Sequence, residues 1–377
     1  METTTIKLLP EICEIKTGKK DANHAVPDGK YRFYTCANKY SMCNTKSFSG
    51  PCVIVPGNGD IGLVFYYDGE FEAYQRTYVL QNIQIYPKYL YYHLCLRWRD
   101  CNSDKQFGST VRYVRMANFT TYELPVPPLT EQQRIVSRIE EMFSQLDAGV
   151  ETLKKTKAQL AVYRQAVLKE AFERVTPMSI SCNVEDVCKD IKVGIVIKPA
   201  QYYTSADVGI RAFRSLNVRE FFVNDSDWVF LTQAGHEANL RSEIHTGDVL
   251  VVRSGYPGTA CVVPPMYDGC NAIDILIAVP DTDKVIPEYL CAYTNSPLGR
   301  KIVQEKKRGV AQAHFNVSGY SKTPIIVPSL DTQKAVVSEI ESRLSVCDSI
   351  NQTVNTALQQ SEAVRQSILK NAFEGRL

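Results

Sequence analysis

The chain has 377 residues, of which 44% are apolar and 22% charged, and its net charge is +2 at pH 7. This composition is ordinary for a globular protein, and the length predicts two or three domains. The near-neutral charge argues against strong binding of nucleic acid by the chain alone. Any DNA contact should come from local patches or be shared with partner proteins.

The sequence lacks the features expected of membrane, secreted and zinc-binding proteins. No apolar run approaches the roughly 18 residues of a membrane helix, and the N-terminus lacks the basic start and apolar core of a secretion signal. The twelve cysteines form no C-x2–4-C pair, so we interpret them as reduced thiols. We therefore expect a cytoplasmic protein with no membrane partner and no bound metal.

The first predicted domain, residues 1–128, contains a strand–turn–strand element. Its sequence is CVIVPGNGDIGLVFY from Cys52, and a helix is predicted to begin at Pro87. The segment GNGDIG resembles a nucleotide-binding loop, but such a loop opens a helix, whereas this one leads into a second strand. We interpret it as the glycine turn of a β-hairpin.

Residues 129–175 are predicted to form one long helix. From Thr130 to Glu173 there is no proline, and apolar residues recur at helical spacing. Pro127 and Pro128 stop the helix upstream, and Thr130 followed by Gln133 matches a capping box. At 1.5 Å per residue the 44 residues from 130 to 173 would span about 66 Å, which is typical of a coiled coil.

The second half of the chain repeats this plan. In the second predicted domain, residues 176–328, DVLVVRSGYPGTACVV aligns with the first glycine turn, and a second long helix is predicted over 329–377. Residues 126–173 and 327–374 align without a gap, and 19 of the 48 positions are identical. The chain is an internal duplication of one large unit. We therefore expect its function to require two copies of one component, such as a target or a partner.

Both long helices have a seven-residue apolar repeat, which favours an antiparallel coiled coil between them. The alternative is that each helix is buried separately in a larger core. The predicted seam consists of Ile139, Leu146, Leu153, Leu160, Arg164, Ile340, Val354, Leu358, Arg365 and Ile368.

The predicted fold class is therefore α+β (mixed α/β). Two globular domains are joined by two long antiparallel coiled-coil helices, and the halves are related by a pseudo-twofold repeat. Arg164 and Arg365 occupy equivalent places in the two helices, as expected of such a pair.

No catalytic machinery is recognisable in the sequence. It has no Asn/Asp-Pro-Pro-aromatic motif for methylating a base amino group, no G-x-x-x-x-G-K-[ST] and no H-E-x-x-H. The five histidines lie far apart, without metal-ligand spacing. We expect a non-catalytic chain with no cofactor of its own.

Both globular domains carry polar side chains suited to DNA on their loops. Arginine, asparagine and glutamine read base edges, whereas lysine mainly contacts phosphate. For any single residue ordinary solvation is the alternative, but the loops fall at corresponding places in the two copies. The candidates are Lys46, Asn58, Asp60, Gln75, Arg76, Ser109, Thr110, Arg112 and Arg115 in the first domain, and Arg253, Ser254, Tyr256, Lys306, Lys307, Arg308, Gln312, His314 and Asn316 in the second.

The duplicated motifs resemble the specificity subunit of type I restriction–modification systems. The resemblance rests on LPVPPLTEQQRIV, the helix ending AVLKEAFE, a second domain, IIVPSLDTQKAVV and the terminal SILKNAFEGRL, with GDVLVVRSGYPG as a companion. Together these segments cover nearly the whole chain. The first copy departs from the pattern at Pro56, where the second copy has Arg253.

The resemblance implies two target-recognition domains, each reading one half of a bipartite double-stranded DNA target. It also implies that the helices set the gap and dock two modification subunits, which bind S-adenosylmethionine and methylate adenine. An ATP-dependent restriction and translocation subunit would complete the complex. Two alternatives stay open, the separate specificity chain of a type IIB system and a coiled-coil adaptor that binds proteins instead of DNA.

Overall fold

The computed structural model describes residues 4–104, 107, 112–301 and 316–377. Its α-helices are α1 (Pro87–Cys101), α2 (Met116–Thr120), α3 (Leu129–Val175), α4 (Gln233–Glu237), α5 (Pro287–Asn295), α6 (Val317–Ser321) and α7 (Leu330–Phe373). Its strands are β1 (Thr5–Leu8), β2 (Glu14–Thr17), β3 (Tyr31–Tyr34), β4 (Ser41–Cys43), β5 (Pro51–Pro56), β6 (Phe65–Asp68), β7 (Phe71–Ala73), β8 (Thr77–Gln81), β9 (Glu123–Val126), β10 (Ile180–Asn183), β11 (Cys188–Val193), β12 (Tyr203–Thr204), β13 (Ile210–Phe213), β14 (Val229–Leu231), β15 (Val249–Val252), β16 (Ala260–Val262), β17 (Asn271–Ala272), β18 (Ile275–Pro280) and β19 (Pro324–Val327).

These elements form two compact units. Unit 1 contains Met1–Lys154 and Asn355–Leu377, and unit 2 contains Lys155–Val354. Each unit thus holds one globular domain together with part of α3 and part of α7. The predicted division at residues 128, 175 and 328 separates the helices from the domains, whereas the compact units cut through both helices.

Unit 1 is built on a four-stranded sheet with the order β2–β8–β5–β6 and a three-stranded sheet with the order β4–β3–β7. The strand β5 is buried along most of its length because both of its faces are covered. Trp98 and Leu90 of α1 belong to the same buried cluster as Val53 of β5 and Ile139 of α3. The long helix is therefore part of the core of the domain.

Unit 2 repeats the same plan. Its sheets have the orders β11–β18–β15–β16 and β12–β14–β13–β17. The parallel pairing of β13 with β17 reproduces the parallel pairing of β3 with β7 in unit 1. Phe172 of α3 and Ile340 of α7 lie in the buried cluster that also contains Val251 of β15. The predicted mixed fold with two long helices is confirmed.

Within each unit the two long helices run antiparallel. In unit 2, Arg164 forms an ion pair with Asp348, and Arg174 pairs with Glu339, so residue numbers rise on one helix as they fall on the other. In unit 1, Arg365 pairs with Asp147. Asp147 and Asp348 are equivalent residues of the repeat, so the arginine–aspartate pair occurs once in each unit. Because these pairs are partly exposed, each contributes only modestly to stability.

The ten predicted seam residues are all buried or half-buried. Ile139, Ile340, Val354 and Ile368 are buried. The other six, which are Leu146, Leu153, Leu160, Arg164, Leu358 and Arg365, are half-buried.

A buried glutamine joins each domain to its long helix. In unit 1, Gln132 accepts a hydrogen bond from Tyr86 N at 2.9 Å and donates one to Pro127 O at 2.7 Å. In unit 2, Gln333 accepts from Ile286 N at 2.9 Å and donates to Lys284 O and Pro328 O, both at 2.9 Å. We call these two arrangements the glutamine clamps.

The predicted capping box at Thr130 and Gln133 is wrong. The helix begins at Leu129, so Thr130 lies inside its first turn, and Gln133 is exposed. The buried glutamine is its neighbour Gln132, which bonds across to the domain instead of back along its own helix.

The C-terminal ends of both helices pack on equivalent domain helices. Phe172 contacts Tyr289 and Tyr293 with ring centroids 5.2 and 5.1 Å apart. Phe373 contacts Tyr89 and His93 with centroids 5.3 and 5.1 Å apart. The repeated segments AVLKEAF and SILKNAF therefore serve as docking ends for α5 and α1, respectively.

The glutamine clamp predicts different effects for two adjacent residues. Replacing Gln132 with Leu keeps the volume but leaves Tyr86 N–H and Pro127 C=O buried without partners. We expect the free energy of unfolding to fall by roughly 2–4 kcal/mol, measured by chemical denaturation of the full chain. Gln133→Leu is the matched control and should change it by less than about 0.5 kcal/mol. Equal effects of the two variants would contradict the role of the clamp.

Stability should also depend on pH through His93. Burial, aided by the charge of Arg97, lowers the pKa of His93 to about 4. Its unfolded value is about 6.5, so the unfolded chain binds more protons between these values and stability falls as pH drops through that window. The full loss is about 3 kcal/mol.

The variant His93→Tyr tests this, because Tyr293 stands at the equivalent place in unit 2. Between pH 6.5 and 4 the variant should lose less stability than the parent chain in denaturation experiments. The same pH slope in both chains would show that His93 is not the titrating group.

Candidate nucleic-acid interface

The glycine turn of unit 1 connects β5 to β6 and is held by its own side chains. Gly59 has φ +79°, a left-handed conformation that favours glycine. Asp60 Oδ1 accepts bonds from Gly62 N at 3.1 Å and from Arg99 Nη2 at 2.7 Å. The carboxylate of Asp60 therefore has partners inside the protein, and its clearest role is to fix the turn.

This turn brings several predicted residues together. Gly57 N donates to Arg76 O at 2.8 Å, and Gly59 N donates to Arg112 O at 3.0 Å. Both arginines are exposed, as is Gln75 beside Arg76. Residues distant in sequence thus meet around one loop, and their side chains face solvent.

Arg115 and Asn58 lie at the same loop. Arg115 Nη2 donates to Tyr113 Oη at 2.9 Å, and its guanidinium stacks 4.1 Å from the centre of the Phe107 ring. Asn58 Oδ1 is buried and has no hydrogen-bond partner among the described residues. An unpaired buried acceptor is costly, so a donor that reached this atom would stabilise the loop.

Lys46 belongs to a different part of unit 1. Its ammonium forms an ion pair with Glu70, which raises the pKa of Lys46. The pair is exposed and neutralises the lysine locally.

The corresponding turn of unit 2, between β15 and β16, presents an aromatic side chain. Gly255 has φ +80°, and the neighbouring Tyr256 is 86% exposed. Ser254 and Tyr256 line a cavity of about 770 Å³ together with Arg219 and Arg300. Hydroxyl groups, an aromatic ring and guanidinium groups therefore share one concave surface.

Arg253 points inward from this turn. Its Nη1 lies 2.5 Å from Asp274 Oδ1, and only 13% of its side chain is exposed. The ion pair ties the end of β15 to the residue that precedes β18, so Arg253 has a structural partner.

Asn316 has a structural partner as well, because its side chain accepts from Gly319 N at 2.8 Å and caps α6. The remaining candidates lie outside the described residues. These are Ser109, Thr110, Lys306, Lys307, Arg308, Gln312 and His314.

Comparison with known proteins shows which proteins this chain resembles. Residues 1–161 match the family described as "Type I restriction modification DNA specificity domain". The type I restriction enzyme EcoDI specificity subunit of Escherichia coli is 25% identical over 98% of this chain and 87% of its own length. The EcoKI specificity subunit of E. coli K12 is 26% identical over 74% of this chain, which spans 63% of that relative.

The chain is similar, over nearly its whole length, to type I restriction–modification specificity subunits.

Solved structures support the fold of this chain. A chain described under "Structural basis underlying complex assembly and conformational transition of the type I R-M system" matches with a TM-score of 0.75 and 16% identity, over 99% of this chain and 98% of that one. The HsdS subunit from Thermoanaerobacter tengcongensis matches with a TM-score of 0.55 and 16% identity, over 99% and 97%. At this identity the likeness concerns the fold alone.

The family agrees with the prediction of a DNA-recognition component, since these relatives are specificity subunits and not catalytic ones. Within the described ranges, no group of three or more His, Cys, Asp and Glu side chains could hold a metal ion. The part of the chain that the structure describes also contains no helix long and apolar enough to cross a membrane.

Sequence reasoning missed several residues that help to form the surfaces of the two units. Arg99 of α1 braces the first glycine turn, and Arg219 and Arg300 line the cavity of the second. No local motif marks them, because each reaches its loop only through the tertiary fold. A fourth residue, Arg32, lies among tyrosines, and the alternation YRFY was the only signal for it.

Proposed function

We propose that this specificity subunit reads a bipartite DNA sequence, with each globular domain contacting one half-site. The observation that carries the proposal is the contrast between repeated supports and divergent turns. The glutamine clamps and the four-stranded sheets that carry the glycine turns correspond in the two units, whereas the turns themselves carry different side chains. Such a protein can hold two different recognition surfaces in equivalent settings.

The first turn offers charged and amide groups. Arg76, Arg112 and Gln75 are exposed around it, and Asn58 has an unpaired acceptor among the described residues. Arginine and glutamine form bidentate bonds with guanine and adenine edges, and arginine also binds phosphate. This turn is suited to polar contacts with a half-site.

The second turn offers a more apolar surface. Tyr256 projects from it, and Leu216, which is 50% exposed, lines the same cavity. An apolar side chain contacts the thymine methyl group, and an aromatic ring stacks on an unpaired base. The two turns therefore favour different base chemistry, as two unequal half-sites require.

The long helices would set the gap between the half-sites and dock two modification subunits. Those subunits would bind S-adenosylmethionine and methylate adenine, and an ATP-dependent restriction and translocation subunit would join them. The complex would act on double-stranded DNA in the cytoplasm. Its chemistry would lie in the partners, while this chain supplies recognition and assembly.

A methyladenine map of the genome tests the proposal. The map is recorded with and without this gene, in cells that carry the neighbouring methyltransferase. We expect a two-part motif with a fixed gap that disappears when the gene is deleted. An active methyltransferase that gives the same map in both strains would show that this chain is not its specificity determinant, and a protein-binding adaptor would then be favoured.

The helices can be tested as a spacer by inserting one heptad into each of α3 and α7. Seven residues add about 10 Å of helix, which corresponds to roughly three base pairs. The mapped motif should keep both half-sites and gain about that number of positions between them. Insertion into one helix alone is the control, because it breaks the antiparallel register and should abolish methylation. An altered half-site after the double insertion would contradict the separation of spacer and recognition roles.

A further inference from the structure

Unit 1 contains an arginine held between tyrosine rings. The guanidinium carbon of Arg32 on β3 lies 4.4 Å from the centre of the Tyr40 ring and 4.3 Å from that of Tyr67. Its Nη1 donates to Tyr34 Oη at 3.4 Å. Among the described residues, no carboxylate forms an ion pair with it, and the groups that act on its charge are tyrosines. A stacked guanidinium of this kind is fixed in place and still has N–H groups to donate to an anion.

Arg32 lines a cavity of about 630 Å³ that also contains several aromatic side chains. Lys39, on the exposed loop after β3, adds a second positive charge. The rings of Tyr40, Phe65, Tyr66 and Tyr91 line the rest. The volume lies within the range of about 300–1,000 Å³ that is typical of small-molecule sites.

The loop after β3, which contributes Lys39 and Tyr40 to the cavity, also approaches the first glycine turn. The Cys36 carbonyl on this loop would lie 3.7 Å from a Cβ placed on Gly59. The loop that lines the cavity is therefore adjacent to the loop that carries the candidate DNA contacts.

Unit 2 has an arginine at the equivalent place, but in different surroundings. The parallel pairings align Tyr34 with Phe213, and hence Arg32 with Arg211. Arg211 lies 5.7 Å from the centre of the Trp228 ring. The pKa of Asp225 is lowered by hydrogen bonds from Trp228 and Tyr267 and by the charge of Arg211. The arginine of unit 2 thus has an acidic neighbour, which Arg32 lacks among the described residues.

We propose that the tyrosine-lined cavity of unit 1 is a nucleotide-binding site. Arg32 and Lys39 bind the phosphate, and the aromatic rings stack on the base. Guanidinium binds phosphate with good geometry, and stacking on an aromatic side chain contributes about 1–3 kcal/mol per base. The inference rests on the proposed function, because the expected source is a DNA nucleotide lifted out of the stack. A free mononucleotide has the same chemistry and is the other source to be tested.

The test is a calorimetric titration of the full chain with four probes. These are the deoxynucleoside monophosphates, the matching nucleosides, inorganic phosphate and a short mixed-sequence single strand. We expect a monophosphate to bind at least tenfold more tightly than its nucleoside or phosphate alone. Arg32→Gln should weaken this binding at least tenfold, whereas the matched variant Arg211→Gln should change it less than twofold.

Competition then separates the two sources of the nucleotide. Displacement of the monophosphate by the single strand identifies DNA as the source. If neither single-stranded nor duplex DNA displaces it, the site serves a free mononucleotide. No preference for the monophosphate, or unchanged binding in an Arg32→Gln chain with the parental melting profile, would overturn the proposal.

Further variants test the site if Arg32→Gln misfolds. The methylation map distinguishes failure of the cavity site from failure of the proposed function. If Arg32→Gln does not fold, nucleotide binding is measured in Lys39→Gln and Tyr40→Ala instead, because both residues lie on the exposed loop. Unchanged binding in both variants would overturn the proposed site. A gene-dependent methylation map without nucleotide binding would remove the cavity site alone. Nucleotide binding with a gene-independent map would retain the site and remove the proposed function.

Discussion

The glutamine clamp is the interaction on which each unit of this protein depends. A domain helix and a long helix both begin where the chain turns, and both leave backbone groups that their own helices cannot satisfy. One buried amide meets both needs, since Gln132 and Gln333 each accept from a domain-helix N-cap and donate to the carbonyl before a long helix. Removing the amide would leave a backbone N–H and a backbone C=O without hydrogen-bond partners at the same time.

The clamp also explains why the chain carries nearly the same segment twice. The side-chain hydroxyls of Tyr89 and Tyr289 donate to Pro125 O and Ile326 O, both at 2.8 Å, beside the respective glutamines. The proline-rich segment, the glutamine and the domain tyrosine therefore form one local arrangement. Packing of Phe172 and Phe373 adds the opposite end of a helix to each domain. Repetition of the sequence follows from repetition of these contacts.

Periodic features could be predicted from the sequence, because each depends on neighbours a few residues away. The long helices, the glycine turns and helix starts at Pro87 and Pro287 are of this kind. Local spacing predicted a capping box with Gln133, whereas the glutamine that acts at this helix start is Gln132, whose partner Tyr86 lies 46 residues away. Spacing alone does not show which of two adjacent glutamines faces inward.

The candidate site was less predictable for the same reason. The sequence does not distinguish an arginine that faces solvent from one that is paired with an acid. Arg112 faces solvent, whereas Arg253 forms an ion pair with Asp274. The partners of Arg32 come from the loop after β3 and from β6, so no short motif contains them. These roles follow from tertiary contacts, and their use as DNA contacts stays a prediction.

The distribution of charge reconciles a net charge of +2 with DNA recognition. Several cations are neutralised within the fold, including Lys46 by Glu70 and Arg253 by Asp274. Arg76 and Arg112 are exposed around one turn of unit 1. Arg32 has tyrosines as its neighbours, whereas the turn of unit 2 presents Tyr256. Such a chain would bind phosphate at few points, so tight and salt-resistant binding requires cations from partner subunits.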